Sequence, residues 1–191
     1  KKFKHSKMQN VLKKIIEKKR EKIKIHKKEF PESEISKNIK NISNFIDFKN
    51  KIKMRSSENK ISIIAEIKKA SPSAGLIIEN YNPLDLAKVF ITEGAPFLSV
   101  LTEEDFFLGK LEHIKTIKDN FSIPILCKDF FIDTYQVGLA KSFGADCILI
   151  ILSAVDKVLA KDLYQTANEL NISSLVEVHN EKEAELALSF E

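Results

Sequence analysis

The sequence predicts an α/β protein in which strand–helix units repeat around a parallel sheet, as in a (β/α)8 TIM barrel. Three observations predict this fold class. From residue 61 onward, short apolar segments alternate with amphipathic segments five times. The apolar segments contain few polar residues, which indicates strands that are covered on both faces. The units recur about every 25–30 residues, close to the roughly 30 residues per unit of an eight-fold barrel.

The chain begins with a basic amphipathic helix, predicted over residues 8–28. Its apolar residues recur near helical spacing: Val11, Leu12, Ile15, Ile16 and Ile23. Pro31 follows soon after, as is typical beyond a helix end. A second helix is predicted over residues 41–50. These patterns predict a helical N-terminal region over residues 1–50, which precedes the strand–helix units of residues 51–191.

The repeated units follow in order. Runs of apolar and β-branched residues predict five strands: 61–68, 97–102, 123–130, 146–153 and 173–179. Each strand precedes a segment with helical spacing of its apolar residues: 83–94, 111–120, 134–144, 156–170 and 181–190. Gly94 and Gly144 close two of these helices, as is typical of glycine just past a helix end.

The net charge of +4 is unevenly distributed along the chain. Residues 1–28 contain 13 Lys or Arg against two Glu, a balance of +11, so the remainder carries −7. Apart from Phe3, the basic segment has no aromatic residues interleaved with its lysines, whereas proteins that bind single-stranded nucleic acid combine the two residue types. The simplest interpretation is a solvated helix face, and no nucleic-acid partner is expected.

Targeting signals are not apparent in the sequence. No segment has the apolar length of a membrane span, and no apolar stretch follows the basic N-terminus as it would in a secretory signal. We therefore expect a cytoplasmic protein with no membrane partner. Cys127 and Cys147 lie in predicted buried strands, which favours reduced core residues over a disulfide or a metal site.

Charged residues stand near the carboxyl ends of three predicted strands: Glu66 and Lys68, then Lys128, then Glu177. Glu66 and Lys68 are two residues apart, so their side chains point to the same side of the strand as Ile64. In a barrel the strand ends converge on one mouth, where active sites are built. A doubly wound sheet is less favoured, because no Gly-x-Gly-x-x-Gly motif follows the first strand. A purely structural Glu–Lys pair remains the alternative for the first strand, whereas the repetition on other strands favours acid–base chemistry.

Three aromatic residues, Phe106, Phe107 and Phe130, lie just past strands at the same mouth. They could form a wall against a flat substrate or simply pack the loops, and the sequence does not choose between the two. His179, which follows Glu177, is a weaker candidate for a direct role, because surface and ion-paired histidines are commoner.

One block, IIAEIKKASPSAGLI, closely resembles the signature of the indole-3-glycerol phosphate synthase family. Four further blocks resemble the same family, in its order and spacing: LSVLTEEDFFLG, PILCKDFFIDTYQV, GADCILII and LVEVHNEKE. The resemblance extends from about Met8 to the end of the chain. It implies a (β/α)8 barrel with an N-terminal helical segment, and an enzyme of tryptophan biosynthesis without metal or organic cofactor. The implied substrate is phosphorylated: 1-(2-carboxyphenylamino)-1-deoxyribulose 5-phosphate, which undergoes ring closure, decarboxylation and dehydration.

The resemblance also implies roles for individual residues. Lys68 and Lys128 match the family's catalytic lysines, which engage the substrate carboxylate and protonate its oxygen. Glu177 matches the general base of the dehydration step, and Glu66 matches the glutamate that orients the lysines. The residues that match substrate contacts are Ser71 in the Ser-Pro turn and the apolar pocket of Phe107, Phe130 and Leu149.

The family has eight units, whereas five are predicted in this sequence. The resemblance therefore implies an N-terminal helical extension over residues 1–50 and an incomplete barrel, units 1 to 5, over residues 51–191. The sixth-strand asparagine and the phosphate-binding loops of units seven and eight are expected to be missing, since the sequence stops at Glu191. The expectation is a fragment that is inactive by itself, whose missing barrel units or fused pathway enzyme lie elsewhere. The alternatives are another phosphate-binding barrel, such as phosphoribosylanthranilate isomerase, which lacks the Glu-x-Lys-x-x-Ser-Pro block, or a non-catalytic protein that binds RNA through its basic helix.

Overall fold

A computed structural model describes the backbone of residues 2–190 and the side chains of residues 10–190. Its strands, numbered along the chain, are β1 (Ile64–Ile67), β2 (Ala70–Ser71), β3 (Gly75–Leu76), β4 (Phe97–Leu101), β5 (Ile125–Lys128), β6 (Cys147–Ile151) and β7 (Ser173–Glu177). Five of them form a parallel sheet in the order β1-β4-β5-β6-β7. The other two, β2 and β3, form a short antiparallel pair in the turn that follows β1.

Eight helices accompany these strands in the described part of the chain. They are α1 (Lys2–Glu29), α2 (Glu32–Lys40), α3 (Phe48–Ser57), α4 (Pro83–Thr92), α5 (Leu111–Asn120), α6 (Tyr135–Ser142), α7 (Lys157–Glu169) and α8 (Glu181–Leu188). The predicted class, the five predicted strands and the helix after each of them are confirmed, with ends that lie up to a few residues inside the predicted bounds. Of the helices that the structure describes, none combines the length and apolarity that crossing a membrane would need.

The region between the first helix and the sheet differs from the prediction. The helix predicted over residues 41–50 is wrong, because residues 42–47 have no regular structure and separate α2 from α3. Helix α3 is capped at its start by Asp47, whose side chain accepts a hydrogen bond from the Asn50 N–H at 2.9 Å. Helix α2 was not predicted because it has few apolar residues. Of its residues only Ile35 is buried, and it packs against α6.

The two faces of the sheet pack against different groups. The outer face contacts the helices that follow the strands, through Ala65, Ile67, Leu98, Val100, Ile125, Cys127, Ile148 and Ile150. The inner face carries Ile64, Phe97, Leu126, Cys147, Leu149 and Ile151. Phe48 of α3 packs on Phe97, with ring centroids 4.8 Å apart, and covers the amino end of the inner face. Helix α3 therefore covers the inner face where β4 begins. Both cysteines are free and buried, as predicted.

A buried ion pair holds the amino end together. Asp146 is fully buried, and its carboxylate accepts from the Lys118 ammonium at 2.9 Å. The same carboxylate accepts from the N–H groups of Ile46 and Ile125, each at 2.8 Å. Asn44 donates to the carbonyl oxygen of Lys118 at 3.0 Å. The segment before α3 is thereby tied to the start of two strands.

We expect Asp146→Ala to lower the free energy of unfolding by about 3–5 kcal/mol, because it leaves the Lys118 charge buried without a partner. Asp119→Ala is the matched control, since the Lys115–Asp119 pair has a similar 2.9 Å separation but is exposed; its loss should stay below about 1 kcal/mol. Urea denaturation of the natural protein measures both values. Equal losses for the two variants would contradict the role given to Asp146.

Candidate active site

Three charged side chains meet on the inner face of the sheet. The Glu66 carboxylate of β1 accepts from the Lys68 ammonium through Oε1 at 2.5 Å and from the Lys128 ammonium of β5 through Oε2 at 2.8 Å. Strand β4 lies between β1 and β5, and its residue opposite Glu66 is Ser99. Because serine is small, the two charged groups can meet above it. The predicted convergence of these residues is therefore present in the fold.

The strand alternation places these charges as the sequence predicts. Ile64 belongs to the inner-face cluster, whereas Ala65 and Ile67 pack toward the helices. Glu66 and Lys68 therefore share the side of Ile64. Both lie at the carboxyl end of β1, the end that α3 leaves uncovered.

Solvent access and hydrogen bonding together set the charge state of the glutamate. Burial alone would raise the pKa of Glu66, but the hydrogen bonds from Lys128 and Lys68 outweigh it and hold the pKa below its ordinary value. The carboxylate is therefore ionised at neutral pH. The Glu66, Lys68 and Lys128 side chains are 27%, 32% and 38% exposed, so an incoming ligand can reach them.

Apolar residues lie on the same inner face and in the loops that follow β4 and β5. The rings of Phe107, in the loop after β4, and Phe130, after β5, have centroids 6.2 Å apart and an interplanar angle of 42°. Phe130 also packs against the inner-face cluster that contains Leu149, which is buried. Phe107 and Phe130 are thus neighbours, and Phe130 packs on the cluster to which Leu149 belongs.

The two remaining predicted residues, Glu177 and Ser71, have partners outside the charged cluster. Glu177 ends β7, opposite Ile151, and its carboxylate lies 3.2 Å from the His179 Nε2. Among the described side chains it forms no ion pair with either lysine of the cluster. Ser71 shapes the turn after β1, because its Oγ accepts from the Ala74 N–H at 3.1 Å and lies 3.3 Å from the Ser73 Oγ.

Sequence reasoning missed the residues that shape the loop after β4. Glu103 is almost fully buried, and its carboxylate accepts from the N–H groups of Asp105, Phe106 and Phe107 at 2.7–3.2 Å. The position of Phe107 therefore depends on a carboxylate four residues before it. The only signal in the sequence is an acidic residue directly after a strand, which is too common to be specific.

Sequence reasoning also missed the contact of α1 with the mouth of the sheet. Glu104 lies within hydrogen-bond distance of Lys22, and its Oε1 lies 3.1 Å from the His26 Nε2. The Tyr135 hydroxyl lies 2.8 Å from the carbonyl oxygens of both His26 and Phe30. These partners are separated by about 80–110 residues in the sequence, so no local pattern could have paired them.

Comparison with known proteins gives a consistent result. Residues 12–191 match the model of the family described as indole-3-glycerol phosphate synthase. The indole-3-glycerol phosphate synthase of Aliarcobacter butzleri (strain RM4018) is 42% identical over 180 residues, which cover 94% of this chain and 68% of that protein. That of Alkaliphilus metalliredigens (strain QYMF) is 42% identical over 93% of this chain and 67% of its own length.

A solved structure resembles the fold. The 3-keto-L-gulonate-6-phosphate decarboxylase of Vibrio cholerae matches with a TM-score of 0.50 and 16% sequence identity. The match covers 68% of this chain and 59% of that one. At this identity the likeness concerns the fold alone.

The contact between Glu104 and α1 predicts a pH effect on stability. Hydrogen bonding from His26, with that from Lys22, lowers the pKa of Glu104 to about 2 against the opposing effect of burial. A pKa lowered by folding stabilises the protein above the ordinary pKa of about 4.5, and this contribution is lost as the pH falls toward 2.

We therefore expect Glu104→Gln to lower the free energy of unfolding by about 2 kcal/mol at pH 7 and to have little effect near pH 2. Denaturation curves at several pH values measure this difference. Glu21→Gln is the control on the same helix, because its partner Lys18 and its own side chain are exposed. A difference between wild type and Glu104→Gln that is the same at every pH would contradict the assignment.

Proposed function

The chain belongs to the indole-3-glycerol phosphate synthase family, and we propose that its Glu66, Lys68 and Lys128 cluster carries out that family's reaction. The enzyme is a decarboxylating lyase of tryptophan biosynthesis. Its substrate is 1-(2-carboxyphenylamino)-1-deoxyribulose 5-phosphate, and its product is indole-3-glycerol phosphate. The observation that carries the proposal is the bridge from one carboxylate to two lysines on the open end of the inner face, within a chain of this family.

The first role of the cluster is to bind an anionic substrate. Two ammonium groups face one carboxylate, which leaves one positive charge in excess at the mouth. A carboxylate on the substrate ring can take the place of Glu66 at one of the lysines. Charge-assisted hydrogen bonds of this kind are roughly twice as strong as neutral ones and fix the orientation of the bound group.

The second role is proton donation during ring closure. A ring carbon attacks the ketone carbon, and a lysine ammonium donates a proton to the ketone oxygen as the new carbon–carbon bond forms. Loss of carbon dioxide then restores the aromatic ring. Glu66 pairs with both Lys68 and Lys128, so it orients the proton donor whichever of the two lysines serves as donor.

The third role is dehydration. The new hydroxyl leaves as water after it receives a proton, and a base removes a proton from the neighbouring carbon to complete the indole. We assign the base to Glu177. It lies opposite Ile151 of the adjacent strand. Ile151 and Leu149 belong to the inner face, so Glu177 is on that face as well. His179, 3.2 Å from this carboxylate, is placed to hold it.

The apolar residues complete the pocket. We assign Phe107, Phe130 and Leu149 to the surface that receives the aromatic ring, because the two phenylalanine rings are neighbours and Phe130 packs on the inner-face cluster that contains Leu149. Ser71 is assigned to a substrate contact from the turn after β1. The compartment that we propose is the cytoplasm, in keeping with the two free, buried thiols.

We expect Lys128→Ala to lower kcat by about 10²–10⁴-fold while the fold is kept, because the variant removes a proton donor whose side chain is only partly buried. A fluorescence assay for indole-3-glycerol phosphate, with the natural protein as reference, measures the loss. Lys115→Ala on the exposed face of α5 is the matched control and should retain full turnover. Wild-type turnover in Lys128→Ala would show that the residue is not a catalyst.

We expect Glu177→Gln to lower kcat by at least about 10²-fold, because the amide cannot accept the proton in the dehydration step. Mass spectrometry of quenched single turnovers should show a decarboxylated, still hydrated intermediate. Glu181→Gln, an exposed change four residues away, serves as the control. If ring closure rather than dehydration is slowed, the base assignment is wrong.

A further inference from the structure

A buried ion pair joins α1 to the strand that carries Lys128. The Lys19 ammonium lies 2.7 Å from the Asp129 Oδ1, and the two side chains are only 4% and 9% exposed. The other ion pairs between α1 and the mouth involve Lys22, His26 and Lys27, and they are more exposed. Replacing a buried ion pair by apolar side chains is often neutral or stabilising, so stability alone does not account for this one.

The position of Asp129 suggests what the pair does. Asp129 lies directly between Lys128 and Phe130, the proton donor and the aromatic wall of the proposed site. Its Oδ1 accepts from the Phe130 N–H at 2.7 Å, and its Oδ2 accepts from the Thr102 hydroxyl at 2.7 Å. The Asp129 carboxylate therefore holds both the Phe130 backbone and the Thr102 side chain in place.

Thr102 completes the connection on the other side. Its N–H donates to the carbonyl oxygen of Lys128 at 3.1 Å, so one residue holds both the backbone of Lys128 and the side chain of Asp129. The backbone from Lys128 to Phe130 is thus held from β4 and, through Lys19, from α1. A rigid backbone at this point limits the directions that the Lys128 ammonium can take toward Glu66.

We propose that Lys19 and Asp129 are positioning residues for Lys128, so that α1 acts in catalysis through a buried ion pair. The proposal rests on the proposed synthase function for its kinetic consequence. A displacement of about 1 Å in a catalytic group can cost about 10²-fold in rate. Loss of the pair should therefore reduce kcat more than it changes KM, whereas a merely structural pair would change only the fraction of folded protein.

The test uses two variants of the natural protein. Lys19→Met keeps the apolar stem of the lysine but leaves Asp129 buried without a counter-charge, so this variant risks poor folding. Lys19→Met combined with Asp129→Asn removes both charges and keeps an amide oxygen as acceptor for Thr102 or Phe130. We expect the folded double variant to show a kcat loss of about tenfold or more, with KM within about threefold of wild type.

Lys27→Met is the matched control. Lys27 lies on the same helix and pairs with Asp133 at the same 2.7 Å, but the two side chains are 46% and 32% exposed. Its kcat should stay within about twofold of wild type, since exposed pairs contribute little. A double variant with wild-type kcat would overturn the positioning role.

A crystal structure of the double variant provides a measurement that does not depend on turnover. We expect the Lys128 Nζ to move from 2.8 Å to beyond about 4 Å from the Glu66 Oε2. Absent turnover in the wild-type protein would reject the proposed function, and the crystal structure would still decide the positioning role. An unchanged Lys128–Glu66 distance would overturn it.

Discussion

The Glu66 carboxylate joins β1 to β5 by accepting from two lysines, and the arrangement of the mouth depends on this bridge. Each ammonium would be unfavourable at the end of an apolar strand without a partner. One carboxylate stabilises both and remains ionised, because their hydrogen bonds outweigh its burial. The parallel sheet makes the bridge feasible, since it brings strand ends that are far apart in sequence to one edge. The small Ser99 of the intervening strand leaves the space in which the three groups meet.

The two ends of the sheet use buried ion pairs for different purposes. At the amino end, Asp146 pairs with Lys118 and accepts hydrogen bonds from two backbone N–H groups. These contacts connect the start of the strands to the segment before α3. No substrate has access to this pair, whose side chains are 2% exposed or less. At the carboxyl end, Asp129 lies next to the proposed proton donor, pairs with Lys19, and accepts hydrogen bonds from the Thr102 hydroxyl and the Phe130 N–H. The same chemistry therefore serves stability at one end and the geometry of the site at the other.

The sequence predicted the parts of the fold that depend on local pattern. Alternation along residues 64–68 placed Glu66 and Lys68 on the inner face, and the strands and helices of the five units followed from apolar runs and spacing. The α2–α3 region was mispredicted because tertiary contacts of single residues such as Ile35 decide it, while residues 42–47 carry apolar side chains without forming a helix. The loop carboxylate Glu103 and the partners of α1 could not be predicted. Their hydrogen bonds depend on loop conformation and on residues distant in the chain, which no periodicity records.

The position of α1 at the mouth explains part of the uneven charge distribution along the chain. The loops after β4 and β5 carry five acidic residues, of which Glu104, Asp129 and Asp133 form ion pairs with α1. Lysines and a histidine of α1 pair with all three: Lys22 and His26 with Glu104, Lys19 with Asp129, and Lys27 with Asp133. Part of the basic excess of residues 1–28 thus neutralises acidic loops within the same chain. Lys68 and Lys128 have only Glu66 as an ion-pair partner among the described residues, which leaves one positive charge for an anionic substrate. The helix that the sequence presents as a solvated basic segment thus pairs with acidic loops at the mouth, and of these pairs only the buried one, Lys19 with Asp129, is expected to affect catalysis.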